Sequence, residues 1–146
     1  MHLAVPEDAE GGQETILVVE DDADVRATVL VTLQDLGYTV IEAHDGQAAL
    51  QILEQGCAVD LLFTDVVMPG PVSSVELATR AAQILPAIAV LFTSGYTRDA
   101  LVTKGRLNQG VQLLGKPYKR GDLSKKVREA LTRGRSRRAL RNEPAE

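Results

Sequence analysis

The chain contains no tryptophan, one cysteine and only 3% aromatic residues, so its interior has to be built from aliphatic side chains. Too few rings remain for a platform that stacks nucleobases. A single thiol, Cys57, excludes an internal disulfide and points to a reducing compartment, with a cytoplasmic location as the expectation. Long apolar runs and a signal-peptide pattern at the N-terminus are both missing, so no membrane contact is expected of these residues. Basic charge is not in excess either. The formal charge is −4, which argues against direct nucleic-acid binding. What is present is ample aliphatic material: 45% of the 146 residues are hydrophobic, enough for one domain burying roughly 68–70% of its unfolded surface.

The apolar segments alternate in type. Thr15 to Val19 is a continuous aliphatic run broken off by acids, the pattern of a fully buried strand whose C-terminal end opens on a polar site. Val25, Val29, Leu33 and Leu36 follow at helical spacing, and Gly37 marks the stop. Tyr38 to Ala43 predicts a second strand, and Asp45-Gly46 turns into a helix carrying Ala49, Leu50 and Leu53, ended by Gly56. Val59 to Thr64 predicts a third strand. Ser73 with Glu76 three residues later is a capping-box signal for a helix that ends near Leu85, before Pro86. Ile88 to Phe92, a weaker helical stretch at 98–105, Val111 to Leu114, and a helix carrying Leu123, Val127, Ala130 and Leu131 complete five β-α units. Such alternation implies a parallel sheet covered by helices on both faces, with a functional crevice at the C-terminal strand ends. Residues 1–13 are expected to be a flexible linker, 14–133 the folded domain, and 134–146 a flexible Arg-rich tail.

In that architecture the residues just past four strands converge. Glu20 and Asp21 follow the first strand, Asp65 the third, Thr93 and Ser94 the fourth, and Lys116 with Pro117 the fifth. Carboxylates packed together repel unless a cation offsets them, and an oxygen-only donor set suits a hard cation such as Mg²⁺. Asp21 and Asp65 are the expected direct ligands, with Glu20 acting through water. The ion would neutralise charge on a phosphoryl group arriving at Asp65, with the Lys116 ammonium and the Thr93 hydroxyl contacting its oxygens.

The strings ILVVEDDADVR and LLFTDVVMPG, the Thr-Ser after the fourth strand and the Lys-Pro after the fifth occur together and in order. No one of them is diagnostic, but the set resembles the receiver domains of response regulators and hybrid histidine kinases over about residues 14–133. The stretch TSGYTRDALVTKGRLNQGVQLLGKPY is similar to receivers at the C-terminal end of hybrid sensor histidine kinases, and the alternative is a stand-alone regulator. The resemblance implies a CheY-like, flavodoxin-like α/β sandwich, with strand order 2-1-3-4-5 and five helices. It implies phosphorylation of Asp65 by a histidine kinase or histidine phosphotransfer protein, and a metal site of Glu20, Asp21, Asp65 and the Val67 carbonyl. It also implies a cis Lys116-Pro117 bond, and a switch through Thr93 and Ser94 that reaches the 98–105 helix and the fifth strand. Many receivers carry an aromatic residue three positions before the lysine. Leu113 stands there in this chain, leaving Tyr96 as the nearby ring. Homodimerisation is left open.

Simpler readings apply to the remaining residues. Asp22 suits an N-cap better than a metal ligand. His2 and His44 lack partners at ligand spacing, Cys57 is expected to be partly buried, and Met68 to pack in the turn after Asp65. The Arg-rich tail is expected to be a solvated helix end, with docking on an acidic partner as its alternative. A flavin or nucleotide module would need a phosphate cradle where three acids stand. An aspartyl-phosphate phosphatase would need a second Asp where Val67 stands. With neither a phosphoacceptor-histidine helix nor an ATP lid, the chain is not itself expected to be a kinase, though the parent of an excised domain would be one. An unphosphorylated receiver-like interaction domain is the remaining alternative.

Overall fold

A computed structural model describes residues 12–95 and 112–141, with the side chains of the last helix described to Arg133. Five strands, β1 (Thr15–Val19), β2 (Thr39–Ala43), β3 (Leu61–Asp65), β4 (Ala89–Ser94) and β5 (Gln112–Gly115), form one parallel sheet in the order β2-β1-β3-β4-β5. Four helices are present among the described residues: α1 (Ala23–Asp35), α2 (Gly46–Glu54), α3 (Ser74–Ile84) and α4 (Arg120–Arg141). The expected 98–105 helix, Tyr96 and Val111 lie outside the described residues. Strand order and layering agree with the sequence expectation.

The aliphatic runs are explained by the two-sided sheet. Along β1, Ile16 and Val18 point to one face and Leu17 and Val19 to the other, so both faces demand apolar side chains. Ile16, Val18, Leu61, Phe63 and Leu91 pack with Val29 and Leu33 of α1 and with Leu123 and Val127 of α4. On the opposite face Leu17, Val19 and Leu62 pack with Leu50 and Leu53 of α2 and Leu77 and Ala81 of α3. A fork from Arg128 of α4 to Glu14, with Nη2 2.6 Å from Oε2, pins the last helix to the entrance of β1. The hydrogen bond that Arg128 donates to this carboxylate raises its pKa above the ordinary value.

Local signals act as the residue types require. Asp22 caps α1 by accepting from the backbone N–H groups of Asp24 and Val25, and Ser73 caps α3 by accepting from Glu76. Gly37, with φ of 99°, makes the left-handed turn after α1 that a Cβ would oppose. One expectation is corrected. Cys57 is exposed, because the connection after α2 turns outward there. Val25, in the first turn of α1, is exposed. Helix α4 runs to Arg141, through a stretch of good helix formers that includes Arg137, Arg138, Ala139 and Leu140.

Leu62 is fully buried in the central strand β3. Leu62→Ala should therefore cost about 2–5 kcal/mol in urea unfolding. Ser73→Ala, which removes only a cap, should cost about 1 kcal/mol. Equal losses in the two variants would contradict this account of the core.

Candidate functional site

Because every strand runs the same way, the residues after β1, β3, β4 and β5 meet at one edge of the sheet. Glu20 leaves β1 with its N–H still bonded to the Ala43 carbonyl at 3.2 Å, and its carboxylate is buried. Asp21 follows on the rim. Asp65 ends β3, and carboxylate oxygens from Glu20, Asp21 and Asp65 lie within 4.8 Å of one another. Lys116, directly after β5, brings its Nζ to 2.8 Å from Asp65 Oδ2 and 3.4 Å from Glu20 Oε1. The Lys116-Pro117 bond is cis, as the resemblance implies.

The electrostatics follow from this crowding. Burial raises the Glu20 pKa above the usual carboxylate value, against the lowering effects of the Asp22 N–H and the Lys116 ammonium. Burial works against the charged form of Lys116, yet Asp65 and Glu20 together hold its pKa above that of a free lysine. One ammonium cannot balance three carboxylates, so the crevice keeps an excess of negative potential. All three donors are hard oxygens, and no His or Cys stands among them. This set fits a hydrated divalent cation of the Mg²⁺ class.

The other expected site residues gather around the same point. Thr93 and Ser94 are buried at the end of β4, and Thr93 stands opposite Asp65 in the sheet register. The Val66 N–H bonds to the Thr93 carbonyl at 2.9 Å and the Lys116 N–H to the Ser94 carbonyl at 2.8 Å, locking the three strand ends together. Val67 heads the turn after Asp65, where its N–H donates to Asp65 Oδ1 at 3.2 Å. Leu113 lies one step back on β5, packed with Val66 and Phe92. His44 sits in the β2-α2 connection, 3.6 Å from Asp45 and outside the acidic group.

Three further residues meet the site, none of them singled out by the sequence reading. Arg26 of α1 donates from Nη1 to the Glu20 carbonyl at 2.7 Å. Ser74, fully buried at the start of α3, donates to the Val66 carbonyl at 2.6 Å and so ties the turn after Asp65 to that helix. Tyr118 sits beside Lys116, where burial raises its phenol pKa. Arg26 and Ser74 reach the site through the folded chain, whereas Tyr118 stands there by its place two residues after Lys116. Lys116, Tyr118, Val25, Thr28 and Leu123 also line an open groove of about 590 Å³ between α1 and α4.

A family model described as response regulator receiver domain matches residues 16–128, more than half of the chain. The chain belongs to this family.

Sensor kinase CckA of Brucella abortus (strain 2308) is 38% identical over 124 residues, which cover 82% of this chain but 13% of the kinase. Response regulator receiver protein CpdR of the same strain is 33% identical over 116 residues, covering 80% of this chain and 95% of CpdR. Among solved structures, the receiver domain from hybrid histidine kinase CckA matches with a TM-score of 0.67 at 36% identity, over 80% of this chain and 98% of that one. A response regulator receiver protein from Sinorhizobium medicae WSM419 matches with a TM-score of 0.74 at 26% identity, over 84% and 97%. The receiver domain described here is thus similar both to a segment of a long kinase and to a protein of nearly its own length. Receiver domains work with histidine kinases or phosphotransfer proteins in two-component systems, and they are not themselves catalytic enzymes in general.

Asp21 adds a negative charge to the crevice without pairing with Lys116. Asp21→Asn should therefore raise the melting temperature of the metal-free receiver by a few degrees and reduce the further rise caused by added Mg²⁺. A lower metal-free melting temperature in that variant would show that repulsion is not what governs this crevice.

Proposed function

We propose that this receiver domain accepts a phosphoryl group from a phosphohistidine onto Asp65 in a Mg²⁺-dependent reaction. The reading is carried by one observation: the Asp65 carboxylate lies between the Lys116 ammonium and the acidic pair Glu20-Asp21. Asp21, Asp65 and the Val67 carbonyl would hold the ion directly, and Glu20 through water. Bound there, Mg²⁺ supplies charge neutralisation for the phosphoryl oxygens.

The residues of the chain divide the remaining work. One Asp65 oxygen forms the new P–O bond as the P–N bond to the donor imidazole breaks, and the imidazole leaves with the bonding pair. The Val67 N–H holds the other part of the carboxylate at Oδ1, limiting its rotation. Lys116, already 2.8 Å from Asp65, pairs with a phosphoryl oxygen once Asp65 has spent its charge in the new bond. Thr93 donates its hydroxyl to another. Drawing Thr93 toward the phosphoryl group disturbs Ser94 and β5, where Leu113 packs on Phe92 and Val66, and this couples chemistry to the shape of that edge.

Several finer points belong to the same proposal. Folded residues 14–133 form the receiver, flanked by segments 1–13 and 134–146, and the setting is cytoplasmic. A histidine kinase or histidine phosphotransfer protein is the donor, either within a hybrid sensor kinase or as a separate protein. The groove between α1 and α4 opens beside Lys116.

Incubation with acetyl phosphate and Mg²⁺, followed by intact-protein mass spectrometry, tests the reading. A single phosphoryl adduct is expected in the wild type, with none in Asp65→Asn or in excess chelator. Loss of the adduct in neither control would move the acceptor elsewhere. Absence of both adduct and Mg²⁺ binding in the wild type would leave a receiver-shaped interaction domain.

A further inference from the structure

The β1 ladder ends at Val19, paired with Ala43, and the chain must then turn toward α1 while keeping two carboxylates aimed into the crevice. Glu20 is only 6% exposed. Its N–H is satisfied by the Ala43 carbonyl, but no strand continues to donate to its own carbonyl. A buried carbonyl without a donor is costly, so something must reach it. Arg26 does so from the first turn of α1. Its Nη1 lies 2.7 Å from the Glu20 oxygen, while its Nε donates to Glu42 Oε1 at 2.9 Å on β2. The backbone N–H of Arg26 is itself bonded to the Asp22 carbonyl at 2.9 Å, and the Asp22 N–H donates to Glu20 Oε2 at 3.1 Å.

From this closed arrangement we infer that Arg26 is a positioning residue of the acidic crevice, clamping the Glu20-Asp21 peptide so that both carboxylates face the Mg²⁺ site. The inference rests on the reading of the crevice as a Mg²⁺ site given above. Asp21 is exposed, so its direction depends on the peptide that carries it more than on packing. That peptide has its carbonyl held by Arg26, and Glu42 holds the guanidinium in turn. The demand is for two N–H donors in one rigid plane, aimed at a carbonyl and a carboxylate on different elements. A guanidinium supplies them and an ammonium does not.

Field and geometry predict opposite signs here. A fixed positive charge close to a cation site repels the cation, so an arginine acting through charge alone would weaken Mg²⁺ binding. An arginine acting by position strengthens it. Mg²⁺ dissociation constants measured by isothermal titration calorimetry at constant ionic strength, together with melting temperatures in chelator, separate the two for Arg26→Ala and Arg26→Lys. Both variants are expected to bind Mg²⁺ roughly tenfold more weakly, as is usual when a residue supporting a metal ligand is lost. Tighter binding in Arg26→Ala with unchanged binding in Arg26→Lys would overturn the inference in favour of a field effect. A lower melting temperature with wild-type affinity in both would overturn it in favour of a purely structural role. Should Arg26→Ala fail to fold, Arg26→Lys keeps the charge and carries the test. Wild type and Asp21→Asn are measured alongside. Mg²⁺ binding in the wild type that Asp21→Asn abolishes, with Arg26 variants like wild type, would sink only the role of Arg26. No binding in the wild type would sink the crevice reading and the inference with it.

Discussion

Three carboxylates brought within 4.8 Å of one another repel, and the ammonium of Lys116 is the counter-charge that lets them stand together. Lys116 lies 51 residues from Asp65 and 96 from Glu20 along the chain, so only a completed sheet can bring them together. The parallel order β2-β1-β3-β4-β5 does this by aligning the C-terminal ends of β1, β3, β4 and β5 at one edge. The remaining negative potential leaves the crevice suited to a further cation.

The scaffold under that crevice is aliphatic and two-sided. With no tryptophan, rigidity comes from close packing of Leu, Val and Ile on both sheet faces, so that the strand ends cannot shift independently. Polar ties finish the edge: Val66 to Thr93, Lys116 to Ser94, Ser74 to Val66 and Arg26 to Glu20. Where many receivers use a ring, Leu113 packs with Phe92 and Val66 directly behind the turn that follows Asp65.

Much of this was legible in advance because the chain obeys strong local rules. Buried parallel strands need unbroken apolar runs, and β1 shows one. Capping needs Asp or Ser before a helix, and Asp22 and Ser73 serve. Boundaries were less legible: β3 begins at Leu61 although Val59 is equally apolar, because Asp60 spends its backbone groups on Thr15 and Ala89 at the margins of the ladder. Cys57 was misjudged because hydrophobicity states a preference for burial without saying which way a turn faces.

Sequence alone determined the alternation of strands and helices, the placing of Glu20, Asp21, Asp65, Thr93 and Lys116 at strand ends, and through them the family. These depend on residue type and spacing, which a linear chain displays in full. Tertiary structure alone decided the distances that make a site: Lys116 against Asp65, Arg26 folded back on Glu20, Ser74 on Val66, and Leu113 against Phe92 and Val66. Those contacts join residues whose separation along the chain bears no relation to their separation in space. They come into being only when the sheet and its helices pack.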